Sequence, residues 1–571
     1  MIGKNAPSLR LTLLGAASAL AYAAIARCGQ SLHEEGSGGQ SLLAILGLFG
    51  VCFLFYLAAV RAAAQSTQDA KSLAIIIGGA IVFRALLLFS DPIEEIDLYR
   101  YLWDGAATTS GVNPFRYSPE QVLSAPSDAE LPADLARLVA LRDDSPELRT
   151  ILSRVHFGQL VTIYPPVSQA VFALATWTMP RAASVITRLT VMKAWFVLFD
   201  LATLALVFRL LCLCRLPIGL CVVYAWCPLV IKEIANSGHL DSLAVFLTTL
   251  SLHCWVRALE LGTAPGDAPT DLPHRGRWAW LAAGALAMAV GAKLYPLVLA
   301  PLVIMSCGRR LGWRKAIGPA SSFVLLTGLV LWPMVPRSRL SPIPDVNVIG
   351  ATDETLPPLP PLEVNSSPRD PSESLRAFLS RWEMNDFLFL LAMENLRPTR
   401  GLPPNEVAWF SLLPEGFREA VTSTVSARLE VDALQAAFYV SRALTLAIFL
   451  FLGAWLAWRA GRAATSSAWL QSAFLTIAWF WLLLPTGNPW YWTWAMPLVV
   501  FARGRAWLAL SGLAMLYYLR FWLVYHFSDT PLLGTRYPGP WFFDYVVTWM
   551  EFAPWLIWLA AVSLVRSLRK S

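Results

Sequence analysis

Charge is what this sequence is short of: 15% of its 571 residues are Asp, Glu, Lys or Arg, against 56% that are hydrophobic. One soluble domain of that length needs a far more polar surface, so a bilayer must be the solvent for much of the chain. Also missing are any Gly-rich nucleotide motif and any tandem repeat, which leaves no sign of a Rossmann-type domain or a solenoid. The eight cysteines (Cys28, Cys52, Cys212, Cys214, Cys221, Cys227, Cys254 and Cys307) lie in or beside apolar runs, without zinc-like pairing to His. Only Cys212 and Cys214 are close. They flank a turn expected on the reducing, cytoplasmic side, so packing is the expected role of these thiols. The net charge of +7 builds no basic face, because Lys and Arg are strung out through short loops. That pattern excludes a nucleic-acid partner and reads as topology signals.

What is present is a series of charge-free runs, clearest at Leu11 to Ala26, Leu42 to Val60, Ser72 to Phe83, Ala316 to Pro336 and Ala443 to Trp458. They predict an all-α polytopic membrane protein with about 12 to 14 spanning helices. The first run is long and precedes no small-x-small cleavage site, so an uncleaved anchor is expected rather than a signal peptide. With the N-terminus inside (Lys4, Arg10), the cytoplasmic turns hold Arg61 and Lys71, Arg215, Arg257 with Arg275 and Arg277, Arg309 to Lys315, Arg459 and Arg462, then Arg503 and Arg505; the tail carries Arg566, Arg569 and Lys570. This works if Pro165 to Met179 does not cross but lies at the outer surface. If it crosses, Arg309 and Arg314 move outside and Lys293 moves to the inner face. Five regions follow: N-terminal helices 1–89, a first outer loop 90–187, a central membrane module 188–336, a second outer loop 337–429 and C-terminal helices 430–571. The second loop opens with a Pro-rich stretch (Pro342, Pro344, Pro357, Pro358, Pro360, Pro361) before a helical pattern near Ser374 to Met393. Loops this long usually serve function or are disordered.

Four segments could carry chemistry. In Glu95-Ile-Asp-Leu-Tyr-Arg-Tyr-Leu-Trp-Asp104, a helix puts Asp97, Tyr101 and Asp104 on one face and leaves Leu98, Leu102 and Trp103 for lipid or protein. An amphipathic helix at the membrane surface is predicted, with a carboxylate able to act as general base on a sugar hydroxyl. Ordinary acids near a helix N-terminus would look the same. Lys232, Glu233, Asn236, His239 and Asp241 stand in a break between apolar helices, where charges must be paired or wet. Gly291-Ala-Lys-Leu-Tyr-Pro296 interrupts an apolar region and sets Lys293 at a bilayer border, either to neutralise a leaving phosphate or to snorkel. Asn488-Pro-Trp-Tyr-Trp492 caps a turn with aromatics, as a sugar platform or as an interfacial belt; Arg520, Tyr525 and His526 are weaker candidates.

In this order, Asp97-x-Tyr-Arg-Tyr-Leu-Trp-Asp-Gly105, Gly111-Val-Asn-Pro-Phe115, Ile163-Tyr-Pro-Pro166, Asn236-Ser-Gly-His-Leu-Asp241, Gly291-Ala-Lys-Leu-Tyr-Pro296 and Asn488-Pro-Trp-Tyr491 resemble the motifs of the integral-membrane glycosyltransferases of the GT-C fold. The resemblance is to the bacterial polyprenyl-phosphate-mannose-dependent mannosyltransferases (glycosyltransferase family 87) and, more distantly, to the catalytic subunit of the first GPI mannosyltransferase. It covers residues 90 to about 310 well, Asn488 to Pro497 moderately and the second long loop hardly at all. It implies a multi-pass enzyme of the plasma (inner) membrane that moves a hexose, mannose by analogy, from a polyprenyl-phosphate donor to a glycan or lipid acceptor on the extracytoplasmic side, with inversion. The expected roles are Asp97 or Glu95 as base; Lys293, with Arg100, on the donor phosphate; and Asp104, Tyr101, His239, Asp241, Tyr164, Trp490 and Tyr491 in substrate binding. The eukaryotic relatives carry Asp-x-Asp where this chain has Glu95-Ile-Asp97, which leaves the choice of base open, with Asp97 favoured by the bacterial pattern. Glu95 and Asp97 could hold Mg2+ or Mn2+, although acids paired with a lysine can do without a metal. A transporter or lipid flippase is the alternative. It would carry inverted repeats and mid-helix charges, and no clear case of either is read here.

Overall fold

The computed structural model describes residues 6–31, 40–65, 70–127, 130–180, 182–259, 272–336, 366–502 and 504–568. Lys4, the Pro-rich opening of the second outer loop (Pro342 to Pro361), Arg503, Arg569 and Lys570 lie outside them. Among the described residues the fold is helical throughout, and the one strand-like pairing is a bridge between Met384 and Thr486. Nine helices among the described residues are long and apolar enough to cross a bilayer; a tenth arises if Ile218–Ala225 and Pro228–Asn236, bent by 53° at their junction, form one broken span. The chain is thus an all-α polytopic membrane protein with fewer clear spans than its apolar runs suggest. Part of the shortfall lies where prolines split a run. Past Pro296 and Pro301 only Ala300–Arg310 remains helical, about 16 Å at 1.5 Å per residue, half a bilayer core.

Helices α1 (Ala6–Ser31), α2 (Gln40–Gln65) and α3 (Ala70–Leu88) pack against one another, with Tyr22 wedged against Phe49 and Phe83. The first long loop then folds into α4 (Asp97–Thr109), α5 (Pro119–Ser124), α6 (Ala133–Asp144), α7 (Pro146–Ser153) and α8 (Pro166–Thr178) before α9 (Val185–Leu213) re-enters the apolar core. α5 opens on a capping box, Ser118 to Gln121, and α7 on a Ser145 cap. α6 turns Leu135, Leu138, Val139 and Arg142 inward and leaves Arg137 and Asp144 exposed, an amphipathic helix. Thirteen residues make α8 about 20 Å long, too short to span, which agrees with a non-crossing segment after Pro165.

One expectation needs correction. α4 does not lie half-solvated at a surface: Leu98 and every residue from Arg100 to Ala107 are buried. Its polar face is satisfied inside the protein instead. α8 covers it so closely that a Cβ on Gly105 would sit 2.6 Å from the Phe172 carbonyl oxygen, so glycine is required there. Tyr101 stacks on Phe172 at 4.8 Å and meets Tyr164 and Phe196 edge-on, which makes it a core residue between α4, α8 and α9.

The bent segment decides where the site forms. Pro228 cannot donate to the preceding turn, and the freed carbonyls find partners elsewhere: Tyr56 donates to the Val223 oxygen (2.7 Å) and Arg84 to that of Ala225 (2.7 Å). Backbone irregularity deep in an apolar core persists only when it is satisfied in this way. The second long loop carries helices Glu373–Arg381 and Leu388–Leu396, so the single helical pattern expected near Ser374 to Met393 is broken in two. Between them Met384 pairs with Pro485 and Gly487, tying this loop to the Asn488 turn. A Cβ on Gly487 would fall 2.2 Å from the Asn385 oxygen.

Candidate active site

Residues far apart in sequence converge where the loop before α4, the bent segment, the Lys293 break and the Asn488 turn meet. Asn236 anchors the first of these. Its amide donates to Ser90 Oγ and the Asp91 carbonyl and accepts from the Ile93 N–H, at 2.7–2.9 Å. Lys193 of α9 donates to the Leu87 and Ser90 carbonyls at the same corner. The loop so fixed delivers Glu95, whose Oε1 accepts from the Asp97 N–H at 2.7 Å, a carboxylate at an otherwise uncapped helix start. Gly238 adopts φ +69°, and a Cβ there would fall 2.8 Å from Leu98 and Lys193; the turn it allows lets His239 face Glu95.

His239 Nε2 lies 3.0 Å from Glu95 and 3.2 Å from Glu233, a cation shared between two carboxylates, while its ring stacks on Trp490 at 4.5 Å. Glu233 in turn accepts from Tyr518 Oη (2.7 Å), and Lys232 lies 3.6 Å from both Glu233 and the Tyr518 ring centre. On the other flank Lys293 pairs with Asp241 (2.7 Å), to which the Trp494 indole also donates; the ammonium sits over the Tyr491 ring at 4.4 Å. Tyr164 donates to Asp97 at 3.0 Å. Four side-chain atoms here, Lys232 Nζ, Glu233 Oε2, His239 Nε2 and Asp241 Oδ2, are buried without an aligned hydrogen bond. Buried polar groups are seldom left so, and a cluster of them marks a site built to meet something else.

The two acids of the loop differ in state. Burial pushes Glu95 up, but the charge of His239 outweighs it and holds Glu95 below its ordinary range. For Asp97, burial and then the neighbouring Glu95 charge raise the carboxyl to about 6, against the pull of His239, Tyr164 and Lys293. Burial likewise works against the imidazolium of His239, yet Glu95 and Glu233 keep it charged up to about 10. Glu95 is therefore a paired anion, and Asp97 is a carboxylate poised to take a proton near neutrality.

Other candidates fall elsewhere. Arg100 donates to the carbonyls of His156, Phe157 and Leu160, so its guanidinium is spent on shaping the loop. Asp104 is held by Gln169, which also reaches Thr162 and the Tyr164 carbonyl; the pair fixes the floor on which Tyr164 stands. Trp490 and Tyr491 join the cluster through His239 and Lys293, as described. Tyr525 reaches Glu94 (2.9 Å), Arg520 pairs with Asp544 (2.7 Å), and His526 contacts only its own helix, Trp522 and Phe527. Tyr518 and Trp494 were not expected. Trp494 could have been read from its spacing four residues after Trp490, whereas nothing local to Tyr518 points to Glu233.

Glu95, Asp97 and His239 bring one ligand atom each within 4.8 Å of one another, the only such set of three or more His, Cys, Asp or Glu among the described residues. An imidazole held protonated between two carboxylates offers no lone pair, and two carboxylates alone are a poor cage for Mg2+ or Mn2+, which take oxygen ligands in octahedral arrays. His239 Nε2 bridges Glu95 and Glu233, which leaves Glu95 and Asp97 as the only carboxylates of the set, a poor fit to a divalent metal. Compared with protein-family models, curated proteins and solved structures, the chain matches none.

Proposed function

We propose that this chain is an integral-membrane glycosyltransferase that moves a hexose, most simply mannose, from a polyprenyl-phosphate donor to a hydroxyl of a glycan or lipid acceptor. The observation that carries the reading is the convergence in one cluster of Asp97, a carboxylate raised to about 6 and held by the Tyr164 hydroxyl, and Lys293, a cation seated on Asp241 and over the Tyr491 ring. In the step, Asp97 takes the acceptor hydroxyl proton as that oxygen bonds to the anomeric carbon. The bond from that carbon to the phosphate oxygen breaks with its electron pair, and the leaving phosphate is neutralised by Lys293. One displacement inverts the sugar.

Lys293 is suited to this because Asp241 and the rings of Tyr491 and Trp494 hold it without enclosing it; 17% of its side chain is exposed. Trp490 and Tyr491 supply aromatic faces for the sugar, and Tyr164 aims Asp97. Sidedness at the extracytoplasmic face of the plasma membrane rests on the charge pattern of the short loops. A transporter reading would draw on Asp200, which stands mid-helix in α9. Its charge is fully enclosed against Arg84, which favours a clamp over a conduction path.

The test is mass spectrometry of products after offering polyprenyl-phosphate mannose, glucose and arabinose to membranes containing the protein. A mannosylated product from wild type, with the donor KM raised about tenfold or more in Lys293→Ala, supports the reading; labelled lipid crossing liposomes without transfer would replace it with the flippase. With the Glu95 oxygens taken up by His239 and the Asp97 N–H, transfer is expected to survive EDTA at full rate. Loss on chelation with recovery on added Mn2+ or Mg2+ would put a cation back into the mechanism.

A further inference from the structure

Glu233 has no role in the transfer described above, yet it is fully buried and touches three functional groups at once. Its Oε1 accepts from Tyr518, and its Oε2 faces both Lys232 (3.6 Å) and His239 Nε2 (3.2 Å). A carboxylate in an apolar core is costly unless its neighbours demand it. Here the demand comes from His239, which has to serve Glu95 and cannot do so from an arbitrary ring position.

We propose that Glu233 is the positioning residue of the transfer site: by sharing His239 with Glu95 it fixes that ring, which fixes Glu95 on the Asp97 N–H and leaves Asp97, on the Tyr164 hydroxyl, as the base. The inference rests on the glycosyltransferase reading and deepens it. Trp490 stacks on one face of the His239 ring and Gly238 sets its approach, so the ring cannot swing to follow Glu95 alone. Glu95 has one oxygen on the histidine and the other on the Asp97 backbone, so a displaced histidine displaces the start of α4. Lys232 balances the second carboxylate, with Tyr518 holding both: the ring lies under the ammonium and the hydroxyl on Glu233. Two carboxylates and one imidazolium would carry a net negative charge beside the reacting centre. With Lys232 the set is neutral, and Asp97 is then the charge that changes during turnover.

Glu95 and Glu233 face His239 directly and Trp490 stacks on its ring; Asp97, Lys232 and Tyr518 stand one contact further out, through Glu95 and Glu233, and Lys193 lies beside Gly238. Glu233→Gln keeps the shape and the Tyr518 contact but removes one of the two anions that hold the ring charged. The expected result is a kcat about tenfold lower or more with donor KM held within about twofold, and the alkaline limb of the pH profile displaced downward by roughly a unit or more. Glu233→Asp should recover part of kcat. An unmoved alkaline limb with unchanged kcat overturns the proposal while leaving the glycosyltransferase reading intact. A wild type that makes no product overturns that reading, and the position of the proton is then read directly. Solid-state nitrogen NMR of histidine-labelled protein in liposomes, with the His239 signal assigned through His239→Asn, should show the ring losing its proton at lower pH in Glu233→Gln than in wild type. Equal titration in the two proteins would sink the proposal without reference to activity.

Discussion

Purified Asp97→Asn protein is expected to insert and fold as wild type and to lose transfer by a factor of about 10² to 10⁴, the usual worth of a general base. The substitution is close to isosteric, and the amide oxygen can still accept from Tyr164, whose hydroxyl lies 3.0 Å from the carboxylate. What disappears is the ability to take a proton. Because burial and the Glu95 charge raise Asp97 to about 6, the wild-type kcat/KM should fall as pH drops through about 6, where the carboxylate is progressively protonated, and hold level above neutrality up to the alkaline limb set by His239 near 10. Glu95→Gln is predicted to cost less, since it disturbs the pair with His239 but leaves the base in place. If Glu95→Gln is the dead enzyme and Asp97→Asn retains turnover, the base has been assigned to the wrong acid.

How far the sequence went depends on the range of the interaction concerned. Apolar runs, caps and breaks are local, so the membrane class, the broken helices around Lys232 and Lys293 and the non-spanning length of α8 could be read directly. Helix faces could be read too, but not what covers them. Asp97, Tyr101 and Asp104 do share one side of α4, yet α8 and α9 close over it. The residues read as a wet acidic face became a paired base, a packed ring and a carboxylate held by Gln169. Partnership across the fold was the least legible. His239 and Asp241 were candidates from the same six residues, but one turned to Glu95 and the other to Lys293, a division set by Gly238 and by where the Asn488 turn arrives. Tyr518 meets Glu233 across 285 positions, a contact that no local pattern encodes.

The Arg84–Asp200 pair gives the largest expected effect on stability. Both side chains are enclosed, 1% and 0% exposed, with Arg84 on α3 and Asp200 in the middle of α9. Their mid-helix placement runs against the sequence expectation that such charges are absent. Tyr224 donates to the other Asp200 oxygen at 2.5 Å, and Arg84 also donates to the carbonyls of Ala80 and Ala225. The pair therefore ties two membrane helices to the bent segment just ahead of Pro228. Arg84→Met strands the Asp200 carboxylate and the Ala225 carbonyl in an apolar core; removing one partner of a buried pair costs about 3–5 kcal/mol. Asp200→Leu should cost a comparable amount, because it strands the guanidinium. In the double variant Arg84→Met/Asp200→Leu neither charge is left alone, so its loss should fall well below the sum of the two single losses. Thermal denaturation in detergent, followed by tryptophan fluorescence, measures all three. Additive losses would mean that the two side chains act independently and that the bent segment is held by other contacts. Non-additive losses would make this clamp the support on which the segment from Lys232 to Asp241, and hence His239 and the Lys293 counter-ion, is seated.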